Sequence, residues 1–150
     1  MAYVELHLHS CFSFLDGASH PVEIAGAAAH QGHAALALTD HDGLHGAMEH
    51  AQACKSLGIR PITGAEVTLD DDSHLTLLCE DAEGYRNLCL LLTLAHADTR
   101  EWSESGTARR VKPASVTLED VERHARGLVC LSGCARDGAV GVGVGAAGAW

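Results

Sequence analysis

Apolar residues along this chain fall alternately into short continuous runs and helical spacings, with turn residues between them. A run over 3–8 leads into His7-Leu8-His9, and a second, 34–38, leads into Thr39-Asp40-His41-Asp42-Gly43. Between them Asp16-Gly17 signals a turn, and Ser19 and Pro21 open a helix in which Ile24, Ala27, Ala28 and Gln31 recur at helical spacing until Gly32. Proline suits that first turn because its missing N–H would have no partner there. Residues 44–57, closed by Gly58, predict a second helix, and 60–69 predict a third strand carrying Gly64-Ala65-Glu66. After the acidic turn Asp70-Asp71-Asp72, 74–79 reads as a short strand, and 82–97 as a helix with Tyr85, Leu88, Leu91, Leu92 and Ala95 on one face. Segment 98–115 shows no period and predicts a loop. Thr117 with Asp120 three residues on predicts a capping box opening a helix to 125, and 127–132 closes the series as a strand.

Repeated β-α-β units predict an α/β fold with a parallel sheet, open or closed into a barrel, and right-handed crossovers. One domain is expected over 2–137. Residues 138–150, rich in Gly, Ala and Val, predict a disordered tail, because glycine raises the ordering entropy and offers little side chain to bury.

Composition narrows the choice of partners. A net charge of −10 argues against a surface that grips nucleic acid nonspecifically, since that mode needs clustered Lys and Arg. Arg100, Arg109, Arg110 and Lys112 gather loosely and read as a solvated loop. The six cysteines form no C-x-x-C pair, and no secretory leader pattern opens the chain, so a reduced cytoplasmic protein is expected. No apolar stretch approaches the ~20 residues that cross a bilayer.

The candidate chemistry sits where strands end. In α/β sheets ligands bind at the carboxyl ends of strands, so side chains delivered there by different strands can converge. At this histidine frequency ~0.8 His-x-His triplets arise by chance, so His7 and His9 count through their setting. Two apart on a strand, they project to one face with Cα atoms roughly 6.5 Å apart, close enough to share a metal. A catalytic zinc needs about three protein ligands and an open position, and a multinuclear centre needs carboxylates as well. Asp16, His41, Glu66, His74 and Cys134 supply the further candidates, with Asp40 expected to orient an imidazole from outside the ligand set. Glu66 lies within an apolar strand, where an unpaired charge would cost several kcal/mol, so a cation or hydrogen-bond donors must be near. The mixed N, O and S donors suit divalent zinc, and the carboxylates would tolerate manganese or iron. His20, His30, His33, His45, His50, His96 and His124 read as solvated, and Cys54, Cys79 and Cys89 as small buried hydrophobes. No nucleophile elbow, Walker loop or G-x-G-x-x-G is present, which leaves metal-assisted phosphoester hydrolysis as the leading chemistry.

Six segments carry a resemblance. Glu5 to Ser10, Phe12 to Pro21, Thr39 to Leu44, Gly64-Ala65-Glu66, Glu83 to Cys89 and Leu131-Ser132-Gly133-Cys134 resemble the amino-terminal polymerase-and-histidinol-phosphatase (PHP) domain of bacterial C-family DNA polymerases, most like the error-prone second alpha subunit. The resemblance implies a distorted seven-stranded β/α barrel, incomplete in this chain, with a di- or trinuclear metal site at its strand ends. It places His7, His9, Asp16, His41, Glu66, His74 and Cys134 at ligand positions. A late Asp-x-His pair and the polymerase palm that the family carries have no counterpart, so the chain reads as a fragment that cannot polymerise alone. The implied partners are the remainder of the polymerase chain, DNA through the full-length protein, and other polymerase or damage-response subunits. A free-standing phosphoesterase of the histidinol-phosphatase type and a non-catalytic structural metal domain are the alternatives.

Overall fold

The computed structural model describes residues 3–97, 99–102, 109–132 and 138, with the side chains of 100–102 and 109–111 left aside. Its elements run α1 (Pro21–His30), β1 (Ala35–Leu38), α2 (Ala47–Ser56), β2 (Arg60–Thr68), β3 (His74–Cys79), α3 (Ala82–Ala97), β4 (Arg100–Trp102), β5 (Arg109–Val111), α4 (Leu118–Arg123) and β6 (Leu128–Leu131). Among the described residues the main sheet has four strands in the order β1-β2-β3-β6, and β4 pairs with β5 in a separate hairpin. The α/β class expected from the sequence is present. Among the described residues no helix is long and apolar enough to cross a membrane.

The sheet is mixed rather than parallel. β1 and β2, joined through α2, run parallel, whereas β2–β3 and β3–β6 are antiparallel. The reason lies in the connection: 69–73 is far too short for the crossover of a dozen or more residues that a parallel pair needs, but ample for a hairpin. Asp72 takes a left-handed φ of 64° there, and Leu69 N–H donates to Ser73 O at 2.7 Å.

Two further expectations change. Segment 3–8 is not a full strand: it touches β1 through a parallel bridge, Glu5 to Leu36, with Ala37 N–H donating to Glu5 O and Thr39 N–H to Leu8 O, each at 2.9 Å. Its own amides turn to side chains, Leu8 N–H to Thr39 Oγ1 at 2.9 Å and His7 N–H to Glu5 Oε1 at 3.2 Å, so the ladder is interrupted. The period-free segment 98–115 holds β4 and β5, strands of three residues each, too short to leave a periodic signature. Of the tail expected over 138–150, Gly138 is described and bridges His74, and 139–150 lie outside the described residues.

Period 2 on the strands separates a helix-covered face from a site-bearing face. Ala65 and Val67 of β2 and Leu75 and Leu77 of β3 pack beneath Leu88, Leu91, Leu92 and Ala95 of α3. A smaller cluster joins α1 and α2 through Ala25, Ala28, Leu36, Cys54 and Ile59. Tyr85, expected on the apolar face of α3, is instead 47% exposed. A Cβ on Gly84 would lie 1.8 Å from Gly127 O, so α3 approaches the turn before β6 at a distance that excludes any side chain at Gly84.

The capping box at α4 forms as read from the sequence: Thr117 Oγ1 accepts from Asp120 N–H at 3.1 Å, and Asp120 Oδ2 accepts from Thr117 N–H at 3.2 Å. Thr117→Ala is expected to cost about 1 kcal/mol, read as a lower urea midpoint with an unchanged slope.

Candidate metal centre

The carboxyl ends of β1 and β2 and the amino end of antiparallel β3 meet at one edge of the sheet. His41 bridges Glu66 in parallel pairing just beyond β1, and His74 opens β3 opposite Thr68. Segment 5–9 brings His7 and His9 to the same place, and the following loop returns Asp16 to it.

Glu66 is the hub. It is 3% exposed, its Oε2 faces Nε2 of both His7 and His9, the latter at 2.8 Å, and its Oε1 lies 2.9 Å from His74 Nδ1. Asp16 Oδ2 faces His9 Nδ1 and lies 3.6 Å from His41 Nε2. The rings form a continuous series, with centroids 5.0 Å apart for His7–His9, 4.4 Å for His9–His41 and 5.4 Å for His41–His74. Three overlapping groups result: His7, His9 and Glu66; His9, Asp16 and His41; and His41, Glu66 and His74. In each, the potential ligand atoms lie within 4.8 Å of one another. Imidazole nitrogens and carboxylate oxygens at that spacing form a donor set of the kind that zinc, manganese and iron accept. Cys134 lies outside the described residues.

His9 has a carboxylate at each ring nitrogen. A neutral imidazole can donate from only one, so both contacts are satisfied together only by the imidazolium. The hydrogen bond to Glu66 is the largest influence raising its pKa, to about 8, with Asp16 adding to it and burial opposing. At Glu66 burial is the largest single influence and pushes upward, but hydrogen bonds from His9 and His7 and the charges of His7 and His41 outweigh it, leaving the carboxyl at about 2. Asp16 is likewise lowered, first by its bond with His9.

The two large shifts set a stability window for the metal-free chain. His9, raised from 6.5 to about 8, adds stability that is complete below pH 6.5 and lost as pH rises through 8. Glu66, lowered from 4.5 to about 2, adds stability present above pH 4.5 and lost as pH falls through 2. Between pH 4.5 and 6.5 these two contributions are constant, and thermal melts in chelator are expected to fall there only through buried His50, whose pKa is lowered by burial and which costs stability as pH drops below 6.5. An alkaline decline on the order of 1 kcal/mol should follow. Metal should reverse the alkaline limb, because a coordinating imidazole must be deprotonated.

Asp40 departs from the role expected of it. Its oxygens accept from Ser10 N–H at 2.7 Å, Ser10 Oγ at 2.8 Å and Ser13 Oγ at 2.7 Å, rather than from an imidazole. All three residues are buried, and Ser13 Oγ in turn accepts from His41 N–H at 3.1 Å. Asp40 therefore folds the loop of Asp16 over the strand ends, and the hydroxyls at Ser10 and Ser13 are its reason for being buried. Gly17 completes that loop, since a Cβ there would fall 2.0 Å from Ser10 O.

Several of the histidines read as solvated carry contacts, and two of these bear on the fold around the site. His50 is 0% exposed and its Nε2 lies 3.3 Å from Cys54 Sγ one turn on, while His96 Nε2 donates to Asp42 O at 2.7 Å. The i, i+4 spacing of His50 and Cys54 was the available signal for the first; the second joins residues 54 positions apart and leaves no local trace.

A sheet end carrying imidazoles and carboxylates from neighbouring strands defines an α/β domain built around a candidate metal centre. The PHP domain family model matches residues 5–145, and the chain belongs to that family. Among curated relatives, the error-prone DNA polymerase of Symbiobacterium thermophilum is 41% identical over 142 residues, covering 91% of this chain and 13% of that protein. DNA polymerase III subunit alpha of Chlamydia muridarum is 35% identical over 148 residues, covering 89% of this chain and 11% of that protein. The chain thus spans about an eighth or less of these relatives. Among solved structures, an amidohydrolase from Chromobacterium violaceum with bound sulfate is 37% identical with a TM-score of 0.54, covering 64% of this chain and 34% of that one. A Bifidobacterium adolescentis protein described as a metal-dependent phosphoesterase is 22% identical with a TM-score of 0.50, covering 66% and 35%, and supports the fold alone.

Proposed function

We propose that the strand-end cluster binds two or three divalent metal ions, zinc first and manganese or iron as alternatives, and hydrolyses phosphoesters as the PHP domain of an error-prone DNA polymerase. The observation that carries this reading is the sharing of Glu66, His9 and His41 among three donor groups, which fits closely spaced ions better than one. Bound ions would supply Lewis acidity and positive charge for a phosphoryl group on a chain whose net charge is −10. The chain's own residues fix the geometry: Glu66, buried and shared by three imidazoles, ties the two strand ends to segment 5–9, and Asp16 closes the outer side over His9 and His41.

In the whole protein the partner is the remainder of the polymerase chain. DNA is reached through that longer chain, in damage-tolerant synthesis in the cytoplasm, with other polymerase or damage-response subunits as further partners. Cys134 is proposed as a ligand completing the set.

Elemental mass spectrometry on tag-free protein tests the centre. Two or more equivalents, lost in His7→Ala/His9→Ala, are expected, followed by metal-dependent release of nucleotides from a DNA 3′ end or of phosphate from an aryl phosphate. Full metal with neither activity would assign the cluster a structural role, and no specific metal would overturn the reading.

A further inference from the structure

We propose that Asp42 is a positioning residue of the cluster: clamped by Thr68 and His96, it holds His41 against Glu66 and so decides whether the two groups containing His41 can form. The inference rests on the metal reading above but concerns residues outside the donor set.

Backbone pairing between β1 and β2 runs on past Leu38, with Glu66 N–H donating to Asp40 O at 3.1 Å and Asp42 N–H to Glu66 O at 2.8 Å. Directly after that last bond the chain must leave the sheet, and it does so with Asp42 in the left-handed region at a φ of 46°. Gly43, the next residue, could take such a conformation without steric cost and is not among the positive-φ glycines. An aspartate is held there instead. Its Oδ1 accepts from Thr68 N–H at 2.9 Å, its Oδ2 accepts from Thr68 Oγ1 at 2.8 Å, and its carbonyl accepts from His96 Nε2 at 2.7 Å.

The clamp therefore joins three elements, the end of β1, the end of β2 and the last turn of α3. Thr68 stands opposite His74 in the β2–β3 register, so the same contact fixes the third strand's histidine relative to the first's. With both its oxygens already accepting from Thr68, Asp42 is absent from the three donor groups among the described residues. A left-handed residue that is not glycine persists where its surroundings over-determine it. Here the surroundings are two hydrogen bonds to one threonine, one residue beyond His41.

The test separates clamp, strain and charge. Asp42→Gly tolerates the left-handed backbone but removes both side-chain bonds, Asp42→Asn keeps an acceptor for Thr68 N–H and can donate to Thr68 Oγ1, and Thr68→Val deletes one bond at near-constant volume. Metal content per chain, and hydrogen exchange of the Asp42 and Glu66 amides in chelator, are measured with the Leu77 and Leu78 amides as controls. Asp42→Gly is expected to lose at least one metal equivalent and to exchange about tenfold faster at Asp42 and Glu66, with the controls unchanged. Thr68→Val should follow it part of the way, and Asp42→Asn should keep both properties. Full metal and unaltered exchange in Asp42→Gly would overturn the proposal, as would an Asp42→Asn variant that loses metal as fully as Asp42→Gly, since the carboxylate charge would then be acting by itself. Where Asp42→Gly fails to fold, Thr68→Val decides. A parent chain that binds no metal would overturn the metal reading, and the clamp would then stand or fall on amide exchange alone.

Discussion

Glu66→Ala is expected to remove most of the metal from this domain, because Glu66 belongs to two of the three donor groups and only His9, Asp16 and His41 are left as a complete set. At least one of every two equivalents found in the parent should be lost, read by elemental mass spectrometry. A second consequence follows in the metal-free chain. His9 owes its raised pKa chiefly to the hydrogen bond with Glu66, so its titration, followed by NMR, should fall from about 8 toward 6.5. Glu66→Gln keeps the shape and one acceptor but not the charge, and should lie between. A Glu66→Ala protein that retained full metal would mean that the ions sit elsewhere.

The site was more legible in the sequence than the sheet that holds it. His7, His9 and His41 could be named because each lies where an apolar run ends, His74 because it opens one, Glu66 because a charge interrupts one and Asp16 because it stands in the turn that follows the first, and the structure brings all six together. Strand direction left a weaker trace. The turn Asp70-Asp71-Asp72 leaves no room for a parallel crossover, yet the alternation of strands and helices on either side suggested parallel pairing throughout. Residues of β6 also face two ways: Leu128 packs against the core beneath α3, while Val129 is 39% exposed. Asp40 was misread for a different reason. Next to His41 in sequence, it points along the opposite side of the strand, as period 2 requires, and meets serines 27 and 30 residues earlier instead of the neighbouring ring.

That placement makes Asp40→Ala the substitution expected to unsettle the fold most. The carboxylate is 2% exposed and accepts from three donors, two of them hydroxyls on side chains at 0% and 1% exposure. Water cannot readily take its place, so each donor is left buried and unpaired at roughly 1–3 kcal/mol, and a total loss of about 3–5 kcal/mol is expected in urea denaturation with chelator present. Removing the stranded donors as well tests the cause. In Ser10→Ala/Ser13→Ala/Asp40→Ala two of the three unpaired groups are gone, so the triple variant should be more stable than the sum of the single changes by at least ~1 kcal/mol. Strict additivity would mean that Asp40 acts through its charge rather than through these bonds. Metal supplies an independent readout: the loop from Ser10 to Gly17 carries Asp16 to His9 and His41, so loosening it should weaken the group that contains Asp16 first, while the two groups built on Glu66 keep their ligands. Partial rather than complete loss of metal from Asp40→Ala, set beside the deeper loss from Glu66→Ala, would order the two carboxylates as holder of the loop and hub of the centre.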